Sequence, residues 1–157
     1  MRATRFVSAA ALVLLYFASA ASAVSLDPHG IGQALVYPYY TVNKGQDTLV
    51  SVVNGGDAGK AVEVRFREGY NARAVLQFVL LLSPHDVWTA SLRSIADDGG
   101  VLLQTSDTSC SDPVIPSAGV AFRSGDYDGN GAAPPDSGPS GITRTREGFL
   151  EILAVDD

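Results

Sequence analysis

Ala61-Val62-Glu63-Val64-Arg65-Phe66-Arg67-Glu68 alternates Val62, Val64 and Phe66 with Glu63, Arg65 and Arg67. Successive side chains on a strand point to opposite faces, so three apolar groups turn inward and three charges outward. On a helix the same residues would scatter around the axis. After the turn Gly69-Tyr70-Asn71 comes Ala74 to Leu82, a nearly unbroken apolar run. Its length admits a helix, but the turns and strands on either side favour a central strand buried on both faces.

Working outward, Asp47 to Val53 is a strand closed by the turn-prone Asn54-Gly55-Gly56-Asp57. Gln33 to Thr41 is rich in aromatic and branched residues and also favours a strand. Its Pro38 cannot donate to a ladder, which predicts an edge position or a bulge. Downstream, Val87 to Leu92 places Trp88, Ala90 and Leu92 on one face. Short strands follow at Val101 to Leu103, Ala118 to Phe122 and Gly148 to Val155. About seven short strands with turn signals between them predict an all-β fold, an antiparallel immunoglobulin-like β-sandwich. Gly and Pro crowd residues 124–141, which predicts a flexible surface loop, ordered only where something ties it down.

Arg2 and Arg5 precede an uncharged apolar run that passes into Ala18-Ser19-Ala20-Ala21-Ser22-Ala23. A basic start, a short apolar stretch and an A-x-A site make a secretory signal peptide over residues 1–23, with Val24 as the expected mature N-terminus and a cut at Ala20 as the alternative. The run is too short to span a bilayer. The expected destination is the periplasm, the cell surface or the medium, with no membrane insertion after cleavage. Residues 24–157 then form one domain. Two positive charges leave with the leader, so the net charge of −6 becomes −8. That sign disfavours nucleic acid and anionic membranes, which call for basic patches. The last strand ends almost at Asp157, which suggests the N-terminal part of a longer protein.

Parts for catalysis are scarce. There is no G-x-S-x-G elbow, no H-E-x-x-H and no glycine-rich phosphate loop after a strand. His29 and His85 are the only candidate bases, and nothing local ties either to the single cysteine, Cys110. An odd cysteine in an oxidising compartment suggests an intermolecular bridge, a free thiol or a buried small hydrophobe. A non-catalytic protein is expected.

Two binding motifs stand out. Asp126, Asp128 and Asn130 occupy positions 1, 3 and 5 of a loop whose sixth residue is Gly131, the ligand spacing of a calcium loop. The twelfth position is Ser137 rather than a bidentate Glu, so the pattern is half complete. Calcium is the one cofactor it suggests. Tyr37, Tyr39, Tyr40 and Tyr70 are candidates for stacking on sugars or a partner surface. Trp88 reads as core. Two similar clusters, Arg65 to Gly69 and Arg144 to Gly148, predict cross-strand ion pairs if their strands are neighbours, and otherwise a solvated face.

Tyr37-Pro38-Tyr39-Tyr40-Thr41, Arg65-Phe66-Arg67-Glu68-Gly69, Leu82 to Ala90 and Arg144-Thr145-Arg146-Glu147-Gly148 together resemble a family of secreted or surface proteins of Gram-negative, Xanthomonas-like bacteria. The resemblance covers nearly the whole mature region and implies relatives longer than this chain, but it carries no activity. A non-catalytic module of cell-surface structure or adhesion, with a surface or carbohydrate partner, is therefore expected. The alternative is an accessory domain of a secreted enzyme that binds carbohydrate or depends on calcium. Oligomeric state stays open.

Overall fold

Nine strands, divided between two antiparallel sheets, form the frame of the described chain. The computed structural model describes His29, residues 32–97 and residues 99–155. The expected leader over 1–23 lies outside them. The chain divides into Met1–Gly30 and Ile31–Asp157, and the nine strands belong to the second unit. The larger sheet runs in the order β1 (Ala34–Thr41), β9 (Glu147–Ala154), β3 (Lys60–Glu68), β4 (Ala74–Leu82) and β7 (Cys110–Asp112). The smaller runs β2 (Thr48–Val53), β5 (Val87–Ser94), β6 (Val101–Gln104) and β8 (Val120–Ala121).

The alternation in β3 is what seats it centrally. Val62, Val64 and Phe66 are buried, and the strand pairs on one side with β4 (Val64 opposite Phe78) and on the other with β9 (Val64 opposite Ile152). From the smaller sheet, Val50, Val52, Trp88, Ala90, Leu92 and Leu103 meet this layer. Phe78 lies against Trp88 with ring centroids 5.8 Å apart. At one end Tyr40, Phe66 and Phe122 form an aromatic triangle with centroid separations of 5.1–5.8 Å. These tilted and edge-on contacts suit the ring quadrupoles. The all-β sandwich expected from the sequence is present, with nine strands rather than about seven.

Four details differ from the sequence reading. β4 is not buried on both faces: Gln77 and Leu81 are exposed, because among the described residues no third layer covers the outer side of the larger sheet. β7 has no signature in the sequence, because a three-residue Cys-Ser-Asp strand has no period to read. The strand expected at Ala118–Phe122 is only Val120–Ala121, although Phe122 is buried. Tyr40 is buried at 2 % exposure, not available for stacking. The register of β1 on β9 shifts between Tyr37 and Tyr40, so the bulge beside Pro38 breaks the alternation and turns Tyr40 inward. Both consequences foreseen for Pro38 occur, since β1 is also an edge strand.

Candidate functional site

The two arginine clusters meet because β9 lies beside β3. On the partly exposed outer face Arg67 donates to Glu151 at 2.6 Å, while the arginines of the second cluster are buried. A 3₁₀ turn, Ile142–Arg146, precedes β9 and buries Arg144, Thr145 and Arg146. Glu68, the last residue of β3, is also fully buried. Arg144 donates from Nε to Glu68 Oε2 at 2.8 Å and from Nη2 to Oε1 at 2.9 Å. Nη1 donates to Asp136 Oδ1 at 2.7 Å and to the Pro139 carbonyl at 3.1 Å, and Nη2 donates to Asp136 Oδ2 at 2.7 Å. The flat guanidinium lies 4.2 Å from the ring centroid of Tyr127 and 5.3 Å from that of Tyr70.

Glu68 is equally occupied. Its carboxylate also accepts the backbone N–H groups of Tyr70, Asn71 and Arg73. Burial by itself pushes this carboxyl up, but Arg144 and the three N–H groups outweigh it and hold it below its ordinary value. Arg144 likewise holds the Asp136 carboxyl well below the usual carboxylate range. A guanidinium has five N–H donors in a fixed fork, and here each is spent on the protein itself. The centre therefore offers nothing to a substrate. Its work is to pin residues 124–141 to the end of β3.

Two further anchors act on that loop. Tyr127, almost fully buried, donates from its hydroxyl to the Gly141 carbonyl at 3.0 Å. The Asp136 N–H donates to the Tyr127 carbonyl at 3.1 Å. Gly138 is required by contact: a Cβ there would lie 2.5 Å from Arg144 Nη1. Nearby, Arg146 gathers a different loop by donating to the carbonyls of Ala96, Asp97, Gly99 and Val42 and to Asn43 Oδ1.

Of the calcium candidates, Asp128 is engaged within the loop. Its Oδ2 accepts from Ser124 Oγ at 2.6 Å and its Oδ1 from the Asn130 N–H at 2.8 Å. This is the short-range turn chemistry that Asp supports without a metal. Among the described residues, no group of three or more His, Cys, Asp or Glu stands close enough to hold a metal ion. Cys110 is exposed on β7, at the edge of the larger sheet. His85 pairs with Asp57 at 2.9 Å in a surface turn. The tyrosines disperse: Tyr70 stands over Arg144, and Tyr39 donates to Glu147 Oε2. Tyr37 donates across the open side of the sandwich to the Ser51 carbonyl of β2, at 3.3 Å.

A concave surface available to a ligand lies elsewhere. A shallow groove of about 660 Å³ runs over the outer face of the smaller sheet. Ser51 stands directly opposite Thr89, and Leu49 opposite Ser91, which in turn stands opposite Gln104. Thr105, Ser106 and Ser117 complete the wall, and no charged residue lines it. The hydroxyls of Ser51, Thr89 and Ser91 make no hydrogen bond within the described residues, whereas Thr105 Oγ1 is held by the Thr89 carbonyl at 2.6 Å. Sequence reasoning passed over these residues because Ser and Thr on the wet side of a strand are ordinary. Only the pairing of β2, β5 and β6 assembles them into one surface.

Compared with protein-family models, curated proteins and solved structures, the chain finds no match in any of the three.

Proposed function

We propose that this chain is an exported, non-catalytic binding module of the cell surface, and that the groove on its smaller sheet takes a neutral glycan chain. The observation that carries this reading is the row of uncommitted hydroxyls at Ser51, Thr89 and Ser91, set across paired strands with Leu49 and no charge beside them. Hydroxyls that both donate and accept suit the hydroxyls of a sugar. Leu49 supplies apolar surface for a sugar's C–H face. A charge-free wall favours uncharged saccharides over uronates or phosphorylated glycans. The basic, apolar and small-residue order of residues 1–23 supports export. The resemblance to exported surface proteins points the same way.

Two measurements test the reading. N-terminal sequencing of protein recovered from the periplasm or medium should return Val24, and Met1 on cytosolic protein would refute export. A glycan array should retain the mature protein on neutral oligosaccharides. Replacing Ser51 by Ala together with Thr89 by Val should weaken that binding by about tenfold or more, at unchanged melting temperature. Retention on acidic glycans alone, or binding indifferent to both changes, would show that the groove is not the binding site.

A further inference from the structure

Four strands end the two sheets, and three of them are blunted. β7 and β8 are three and two residues long. β1 carries Pro38 and a bulge. Short edges, prolines and bulges are the devices that stop a sheet from pairing with another chain. β2 has none of them: Thr48-Leu49-Val50-Ser51-Val52-Val53 contains no proline, glycine or charge and pairs with β5 in unbroken register.

The backbone direction of β2 is known from two bonds. The Asn54 N–H donates to the Asp86 carbonyl on the β5 side, and the Ser51 carbonyl accepts from Tyr37 on the other side. Strand alternation then turns the N–H and C=O groups of Leu49, Ser51 and Val53 away from β5. Leu49 is 81 % and Val53 61 % exposed, large values for aliphatic side chains on a strand.

We infer that β2 is an interface for a second copy of this chain, the two β2 strands pairing antiparallel with Ser51 opposite Ser51. In that register Leu49 of one copy faces Val53 of the other, twice, so each exposed aliphatic covers its counterpart. Each of the pairs 49–53, 51–51 and 53–49 has outward backbone groups on both sides and can exchange two hydrogen bonds. Asp47 falls opposite Gly55 of the second copy, so no like charges meet. This matters for a chain of net charge −6, whose copies otherwise repel. β1 touches this edge at two points: Tyr37 takes one lone pair of the Ser51 carbonyl and leaves the other, and Thr48 bonds to Thr41 through its side chain, with its backbone turned to β5. The two smaller sheets would become one continuous sheet. The inference does not rest on what the groove binds, although Leu49 and Ser51 border both surfaces.

Sedimentation velocity on the mature protein, from about 5 µM to about 500 µM, should show a monomer passing to a dimer. Leu49→Lys should remain monomeric over the same range, because it sets a charge against Val53. Combining Leu49→Lys with Val53→Glu should restore the dimer, since each Lys then faces a Glu of the other copy. Both positions are exposed, and far-UV circular dichroism of each variant is the check that it is folded. A wild type monomeric throughout, a Leu49→Lys variant that still dimerises, or a double variant that stays monomeric would each overturn the inference.

Discussion

Arg144 and Glu68 meet as a two-pronged ion pair, Nε to Oε2 at 2.8 Å and Nη2 to Oε1 at 2.9 Å, with side chains 3 % and 0 % exposed. The pair ties the turn before β9 to the end of β3, two places that are far apart in sequence and adjacent in the sheet. Beside it, Gly148 stands opposite Glu68, and a Cβ at Gly148 would lie 1.9 Å from the Arg67 carbonyl oxygen. The close approach of the two backbones there admits only glycine.

Removing Arg144 should be severe. Arg144→Leu leaves Glu68 buried without its counter-charge, on three backbone N–H groups alone, and should cost about 3–5 kcal/mol in urea unfolding. Arg144→Lys should rescue little of this, because an ammonium cannot supply both forks and the stacked plane. A loss below about 1 kcal/mol would show that the pair contributes no more than a surface bridge.

Acid should loosen the same centre. Both Glu68 and Asp136 have folded-state carboxyls held below their ordinary values. A depressed carboxyl stabilises the fold above its unfolded pKa, and that stability is lost as pH falls through the folded value. The urea midpoint should therefore be insensitive to these groups above about pH 5 and fall progressively below about pH 4. Asp136→Asn should flatten the acid limb. An unchanged limb in that variant would refute the assignment.

Phe66 and Glu63 share a strand and face opposite ways. Phe66 is fully buried between Tyr40 and Phe122, so Phe66→Ala should cost about 3–5 kcal/mol. Glu63 lies on the outer face, bonded to Arg65. Glu63 also accepts from Gln77, and Glu63→Ala should cost about 1 kcal/mol or less. Comparable losses at the two positions would mean that the register of β3 is wrong.

Calcium is separable from the arginine as what orders residues 124–141. With Tyr127 buried and Asp136 held by Arg144, the loop has protein anchors, and melting curves in about 10 mM calcium and in chelator are expected to coincide. A gap of a few degrees that disappears when Asp126 and Asp128 are both changed to Ala would establish a site there.

The strands were legible where a period was written into the chain. Val62, Val64 and Phe66 point inward as their spacing requires, and Pro38 marks both an edge and a bulge. The buried charge was half legible: Glu68 continues the inward series of Val64 and Phe66, but a carboxylate at a core position has no meaning until its partner is known. Tyr127 was hidden by its neighbours, since one aromatic among Gly, Asp and Pro reads as loop. The Ser and Thr groove had no local signal at all.

By itself the sequence determined a two-layer β protein, because period-two alternation depends only on which way successive side chains point. Tertiary structure alone decided which polar residues are surface and which are interior. Arg144 can be buried only where Glu68, Asp136 and the Pro139 carbonyl meet its five donors, and its meeting with Glu68 follows from β9 lying beside β3. The groove likewise exists because β5 sits between β2 and β6. Strand neighbours are set by burial of both sheets at once, a cooperative quantity that no single stretch of sequence carries.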